Sequence, residues 1–431
     1  MMQHYTTFIR EHLSPTRILH FVKKLIKATL VNGLLFTITL VITLLLAEGV
    51  FYGLNTFYPV EKTEIATFDS IPNQERLDFF QYHSVYGYAG IPNVDKTFHG
   101  KTITHNAKGL RGKEYSYEKP ENTQRIAFIG DSQTWGWAVK NDETIPEFTQ
   151  LVLSEINRDQ PVEVLNFGAT GYGVDQSYLR LISEGLHYQP DTVVLTYFSD
   201  NDIWETTSVK AWGVEKPYMY EKEDGKFCVS NVPPRRASGW PADNIGFILE
   251  NRLNFSVPKV QFSAVTIDLS ETHIARYFKD RNLTGPLLTM LGMTNGNPIA
   301  AIEQHLGCLE QEPGPVLTDW NERVLRTLNI IVLIRDTVEA AGGKFIVIAK
   351  PLEKDYKANA ISRDYASIVN GLSDAKVDVV ELFTEAKMVE LQAESMYLAA
   401  GHLSPQGNYL AARKLAERIT GKPDEPTLAG E

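Results

Sequence analysis

The chain has 431 residues, with 42 Lys and Arg against 53 Asp and Glu, a formal net charge of −11. Its 43% hydrophobic and 22% charged composition is that of a globular protein, and with only two cysteines it is neither a disordered chain nor a disulfide-dense scaffold. The acidic balance argues against a nucleic-acid partner, which would need clustered Lys and Arg to meet phosphates.

That average hides the N-terminus. From Ala28 to Ala47 the chain runs 20 residues without a charge. At about 1.5 Å rise per residue this is roughly 30 Å of helix, the thickness of a bilayer's hydrocarbon core. Ahead of it stand Arg10, Arg17, Lys23, Lys24 and Lys27 against Glu11, a net +4 that leaves −15 for the rest. Because Lys and Arg stay on the cytoplasmic side, the pattern predicts one transmembrane helix and a body in the periplasm or at the cell surface. Tyr52, Phe57 and Tyr58 follow where an interfacial aromatic belt belongs. The apolar run exceeds the core of a cleaved signal peptide and no small-x-small cleavage site follows cleanly, so an anchor fits better. Residues 1–27 then form a basic cytoplasmic stub, 28–55 the membrane anchor, and 56–120 a small β-rich neck containing HSVYGYAG and ITHNAKGLRG.

Five apolar runs follow: 125–130, 163–167, 192–198, 344–349 and 377–383. Near-continuous apolar segments of this length suit strands buried on both faces of a parallel sheet. Helical periodicity occupies 145–156, 176–186 and 320–341, the last ending at Gly342 and Gly343. Ser404 and Pro405 open a final helix to about Ile419. The alternation predicts an α/β/α three-layer sandwich around a five-stranded parallel sheet, with a core at 121–204 and 318–420. Between its halves, 205–317 is too long for a loop and reads as an inserted subdomain or lid, with a hairpin turning at Asp224–Gly225. Residues 421–431 form a tail. Cys228 and Cys308 can pair in an oxidising compartment, and two separate buried thiols fit the sequence equally well.

The candidate chemistry sits where strands end. Gly130, Asp131 and Ser132 close the first strand, placing a hydroxyl where open α/β sheets bind ligands. A Gly-rich turn from Asn166 to Gly173 closes the second, Ser199-Asp200-Asn201-Asp202 the third, and Gly401-His402 precedes the last helix. His83, His99 and His105 lack metal-ligand spacing, and no metal or cofactor is expected. Trp135 and Trp137 read as core aromatics or as the lining of an acyl or sugar pocket.

Four such blocks in this order resemble the SGNH (GDSL-type) hydrolases, which implies a flavodoxin-like α/β/α fold. The resemblance implies Ser132 as nucleophile and His402 as general base. It also implies an oxyanion hole from the Ser132 and Gly171 N–H groups and the Asn201 amide, with Asp131 bracing the turn and Asp202 capping or orienting Asn201. One element departs from the family. The acid expected two or three residues before the histidine is replaced by Ala399 and Ala400, and Glu394 is the nearest preceding acid. Three outcomes follow: a Ser–His dyad, a distant substitute acid, or a site without activity. The expected function is a membrane-anchored serine esterase acting on an acyl or O-acetyl ester of a glycan or lipid. The alternatives are an acyl-transfer partner of an integral-membrane acyltransferase and a non-catalytic scaffold.

Overall fold

The computed structural model describes residues 78–211, 214–232, 234, 301–310, 314–398 and 401–422, the backbone of 259–262, 265–268 and 298–300, and scattered helical positions between 32 and 50. Most of the expected membrane span lies outside these residues, as do Ala399 and Ala400. Among the described residues no helix is long and apolar enough to cross a membrane. The chain divides into two compact units: 1–62 with 258–281, and 63–257 with 282–431.

In the larger unit two antiparallel hairpins come first, β1 (Phe80–His83) with β2 (Gly87–Gly90), and β3 (Asp95–Phe98) with β4 (Lys101–Thr104). The central strand β5 (Gln124–Gly130) leads into a single turn, α1 (Ser132–Trp135), and then α2 (Ile145–Ile156). Strand β6 (Val162–Asn166), helix α3 (Val174–Ser183), strand β7 (Thr192–Phe198) and the short α4 (Asp202–Thr206) follow. The inserted region contributes the hairpins β8 (Lys210–Ala211) with β9 (Val214–Glu215) and β10 (Tyr218–Glu221) with β11 (Phe227–Ser230). The latter turns through 222–226 as its Asp-Gly pair predicts. In the smaller unit β12 (Lys259–Phe262) pairs with β13 (Val265–Asp268). The larger unit resumes with α5 (Pro298–Leu306), α6 (Trp320–Ala340), β14 (Lys344–Lys350), α7 (Glu353–Ala358) and α8 (Arg363–Asp374). Strand β15 (Asp378–Glu381) and helices α9 (Leu382–Met388), α10 (Ala393–Met396) and α11 (Pro405–Thr420) complete it.

Five strands form one parallel sheet in the order β6-β5-β7-β14-β15. Side chains alternate across it, as a period of two demands. Ala127, Ile129, Val193, Leu195 and Val347 face a core shared with α3, α6 and α8. Ile126, Phe128, Val194, Ile346 and Ile348 face a second core with α2, α9 and α11. Sheet order reverses at β5, so the crevice between β5 and β7 is where an open α/β sheet places its ligand.

The 56–120 neck is β-rich where described, but it is not a separable stalk. Phe79, Phe80, Tyr88 and Ile103 are buried in the same cluster as Trp135, Phe167 and Tyr172 of the sheet's C-terminal edge. Cys228 and Cys308 form a disulfide, 4.8 Å between Cα atoms, that ties β11 to the end of α5. Beside it, Val229 N–H donates to Cys308 O (3.2 Å) and Glu310 N–H to Val229 O (2.8 Å).

Candidate active site

Ser132 opens α1 at the end of β5, where Asp131 caps the turn by accepting the Gln133 N–H (2.9 Å). The turn ends at Gly136 with φ +93, a conformation costly for any residue with a Cβ, and there is no room for one beside Thr144. This reversal brings Trp137 back beside Ser132, whose carbonyl accepts the Trp137 N–H (3.1 Å).

Opposite stands His402. Ser404 caps α11 by accepting the Gly407 N–H (3.1 Å), with Pro405 in the first turn, so the loop before the helix is fixed. Leu398 N–H donates to His402 O (2.7 Å), and Leu403 N–H to the Gln133 side chain (3.3 Å). The result places His402 Nε2 2.8 Å from Ser132 Oγ, across 270 residues of sequence. A shallow depression over this pair is lined by Ser132, Gln133, Gly136, Trp137, His402, Leu403 and Asn408.

The sheet order, the four blocks at its C-terminal edge and the Ser–His contact agree with the resemblance to SGNH-type hydrolases seen in the sequence. No family model and no curated protein matches the chain. Among solved structures it is similar to a lipase/acylhydrolase from Enterococcus faecalis, at 13% identity and TM-score 0.36, covering 70% of this chain and 100% of that one. It is also similar to an acetylxylan esterase from Geobacillus stearothermophilus, at 11% identity and TM-score 0.35, covering 71% and 100%. At these values the functional reading rests on the chain's own residues.

The resemblance implied that the second and third blocks would face the nucleophile. Here Gly171 takes φ +75 in the buried turn after β6, and Asn201 stands at the N-cap of α4. The Asn201 amide donates to Glu205 Oε2 (2.7 Å) and lies 3.4 Å from Asp131 Oδ2. Neither Gly171 nor Asn201 lines the depression over Ser132. Asp202, expected to cap or orient Asn201, instead accepts the Phe198 N–H (2.7 Å) and ties α4 back to β7. The carboxylate on the Asn201 amide is Glu205, one helical turn later. That i, i+4 spacing is visible in the sequence, although nothing there shows that Glu205 is fully buried.

Buried charge surrounds this edge. Burial pushes Asp131 up to about 6, against the opposing pull of the Gln133 N–H, the Asn201 amide and Lys350. Burial also raises Asp202 well above the carboxylate range, with Asp131 and Glu205 adding to the effect. Lys350, which ends β14, is lowered to about 7 by burial, opposed by Asp131, Asp200 and Asp202. Its ammonium sits 3.5 Å over the Phe198 ring and 5.2 Å from Tyr397, with Pro351 O 3.4 Å away. The apolar run read from the sequence ends at 349 and does not single Lys350 out.

Arg111 left no sequence signal either. It is buried and donates to Trp135 O (2.9 Å), Gly136 O and Val139 O (2.7 Å), pinning the turn that presents Trp137. The two tryptophans therefore separate. Trp135 is core, its Nε1–H donating to His105 Nε2 (3.1 Å), and Trp137 belongs to the site. Glu394, the nearest preceding acid, lies in a different groove with Tyr356, Lys357, Lys387 and Gln392. Among the described residues no acid lines the depression over Ser132 and His402.

Proposed function

We propose that this protein is a serine ester hydrolase working through Ser132 and His402, held at a membrane by its N-terminal apolar segment with its body outside the cytoplasm. The observation that carries the chemistry is the 2.8 Å contact between His402 Nε2 and Ser132 Oγ. In the first step Ser132 Oγ bonds to the acyl carbon while its proton passes to His402 Nε2. The carbonyl electron pair moves onto oxygen, where the Ser132 and Gly171 N–H groups and the Asn201 amide receive it. As the tetrahedral species collapses, His402 returns the proton to the leaving alcohol and an acyl-Ser132 remains. Water then repeats the sequence, releasing the acid and restoring Ser132.

The location is supported by two independent features. The 20-residue apolar run behind a +4 stub orients the body outward, and the Cys228–Cys308 disulfide suits an oxidising compartment. The substrate class this reading covers is an acyl ester, such as an O-acetyl group, of a glycan or lipid. The same acyl-Ser132 can be resolved by a sugar hydroxyl in place of water, which is the acyl-transfer alternative.

The test is turnover of short-chain nitrophenyl esters and acetylated glycans by the full chain and by Ser132→Ala. The wild type should release acid and the variant should fall to background. Equal rates in both remove Ser132 from the mechanism. Acyl groups found on sugar hydroxyls rather than in water would select transfer.

A further inference from the structure

The imidazole of His402 is stacked on the indole of Trp137, with ring centroids 4.5 Å apart and planes inclined by 22°. Trp137 is itself held from several directions. Its N–H donates to Ser132 O, and Arg111 fixes the carbonyls on both sides of it in sequence. The β3–β4 hairpin places Phe98 and His99 against its ring, with centroids 5.9 and 4.7 Å away. His99 adopts φ +48 at the tip of that hairpin, so the contact occurs at a backbone position that only a tight turn would produce. Half-buried and immobilised in this way, the indole presents a fixed plane to the histidine.

We propose that Trp137 is a positioning residue for His402: its indole face sets the plane of the imidazole against Ser132 and stabilises the imidazolium formed when Ser132 gives up its proton. This rests on the Ser132–His402 esterase reading. An aromatic face attracts a cation more strongly than the neutral ring it came from, so the contact strengthens as the proton arrives. It fixes the ring plane without adding a buried negative charge. That distinction matters at an edge where Asp131, Asp202 and Glu205 are already buried.

Among the described residues, the ionisable groups on this side come from several elements. Asp131 Oδ2 lies 3.4 Å from Ser132 Oγ, and His99 lies against Trp137 from the β3–β4 hairpin, its ring inclined by 55°. Asp200 follows β7 and acts on Lys350, which lies against Phe198 and Tyr397. Helix α11 offers Asn408, which is neutral. Replacing Trp137 changes none of these charges, so a change in His402 titration reports the stacked ring.

The experiment uses the full chain with ¹³C-labelled histidine. The His402 signal is assigned by its loss in His402→Asn and titrated in wild type, Trp137→Ala and Trp137→Phe. Trp137→Ala should lower the His402 pKa by about half a unit to one unit, and Trp137→Phe should recover most of the shift. With ester substrate, Trp137→Ala should lose about tenfold to a hundredfold in kcat with KM near wild type. An unchanged titration overturns the proposal, as does a raised KM at unchanged kcat, which would make Trp137 a substrate surface. If a fluorophosphonate fails to label Ser132 while the titration still shifts, the esterase reading falls and the stacking stands.

Discussion

His105 offers a quantitative test of how the N-terminal hairpins support the catalytic edge. Its Nε2 accepts the Trp135 indole N–H (3.1 Å), so the ring's proton is on Nδ1, which donates to Ile91 O (3.0 Å). A second proton would have to displace the indole bond inside a cluster containing Phe79, Phe80 and Trp135. Burial accordingly lowers His105 from 6.5 to about 3, with Arg111 and Arg180 contributing repulsion. A folded-state pKa below the unfolded value means stability that is present above pH 6.5 and lost as pH falls toward 3. At pH 4 the unfolded chain carries this proton and the folded chain does not, which costs about 3 kcal/mol relative to pH 7. Asp131 works in the opposite direction, since its pKa of about 6 is raised above the unfolded value and its contribution is lost as pH rises. The comparison with His105→Gln cancels that effect. The Gln amide can accept from Trp135 and donate to Ile91 O without titrating. Urea unfolding followed by tryptophan fluorescence at pH 7, 5.5 and 4 should show the wild type losing about 3 kcal/mol more than the variant over this range. Parallel pH profiles for the two proteins would refute a neutral, hydrogen-bonded His105.

Two further outcomes test the edge itself. If Asn201 donates to the oxyanion as proposed, Asn201→Ala should lower kcat by about 10²- to 10³-fold with little change in KM, read by steady-state kinetics on a short-chain ester. A change below about threefold would remove Asn201 from the hole. Lys216→Met strands Asp175, its partner in an ion pair with both side chains fully buried, and should cost about 3–5 kcal/mol in denaturant unfolding. Adding Asp175→Leu should recover most of that loss, since the stranded carboxylate rather than the missing lysine carries the penalty.

The sheet was legible because each of its strands is a run of apolar residues bounded by turn signals. The observed spans differ from the apolar runs by a few residues, most at β15, which covers 378–381 where the run extends from 377 to 383. Ser132 and His402 were legible because the cues are local: a Gly-Asp-Ser after a strand, and a His before a Ser-Pro helix start. What supports them was not, for a physical reason. Arg111 acts on carbonyls 24 to 28 residues downstream, and Lys350 acts by losing its water between two aromatic rings. Neither effect has a sequence period. The hairpins at 80–104 read as β-rich, but short hairpins carry no mark that distinguishes an appendage from a wall of the core. Only the burial of Phe79 and Phe80 against Trp135 decides it.

That wall and the insertion have the same consequence for the edge between β5 and β7. Among the described residues, two buried lysines, Lys350 and Lys216, act on the buried carboxylates Asp131, Asp202, Glu205 and Asp175. Lys350 comes from the sheet and compensates Asp131 and Asp202, whereas Lys216 comes from the insertion and pairs with Asp175 while also feeling Glu205. Glu205 in turn holds the Asn201 amide, and Thr206 beside it accepts the Val174 N–H at the start of α3 (2.8 Å). The insertion is therefore coupled to the oxyanion side of the site through charge. Deleting it would remove Lys216 and Glu205 together, leaving Asp175 buried without its cation and the Asn201 amide without Glu205, beside the turn that carries Gly171. The N-terminal hairpins are coupled to the opposite side, through Arg111 and His99 to Trp137 and so to His402. Each half of the catalytic machinery thus depends on a segment outside the five-stranded core, and a sheet-only fragment would retain the order of the strands while losing the alignment of Ser132 with both.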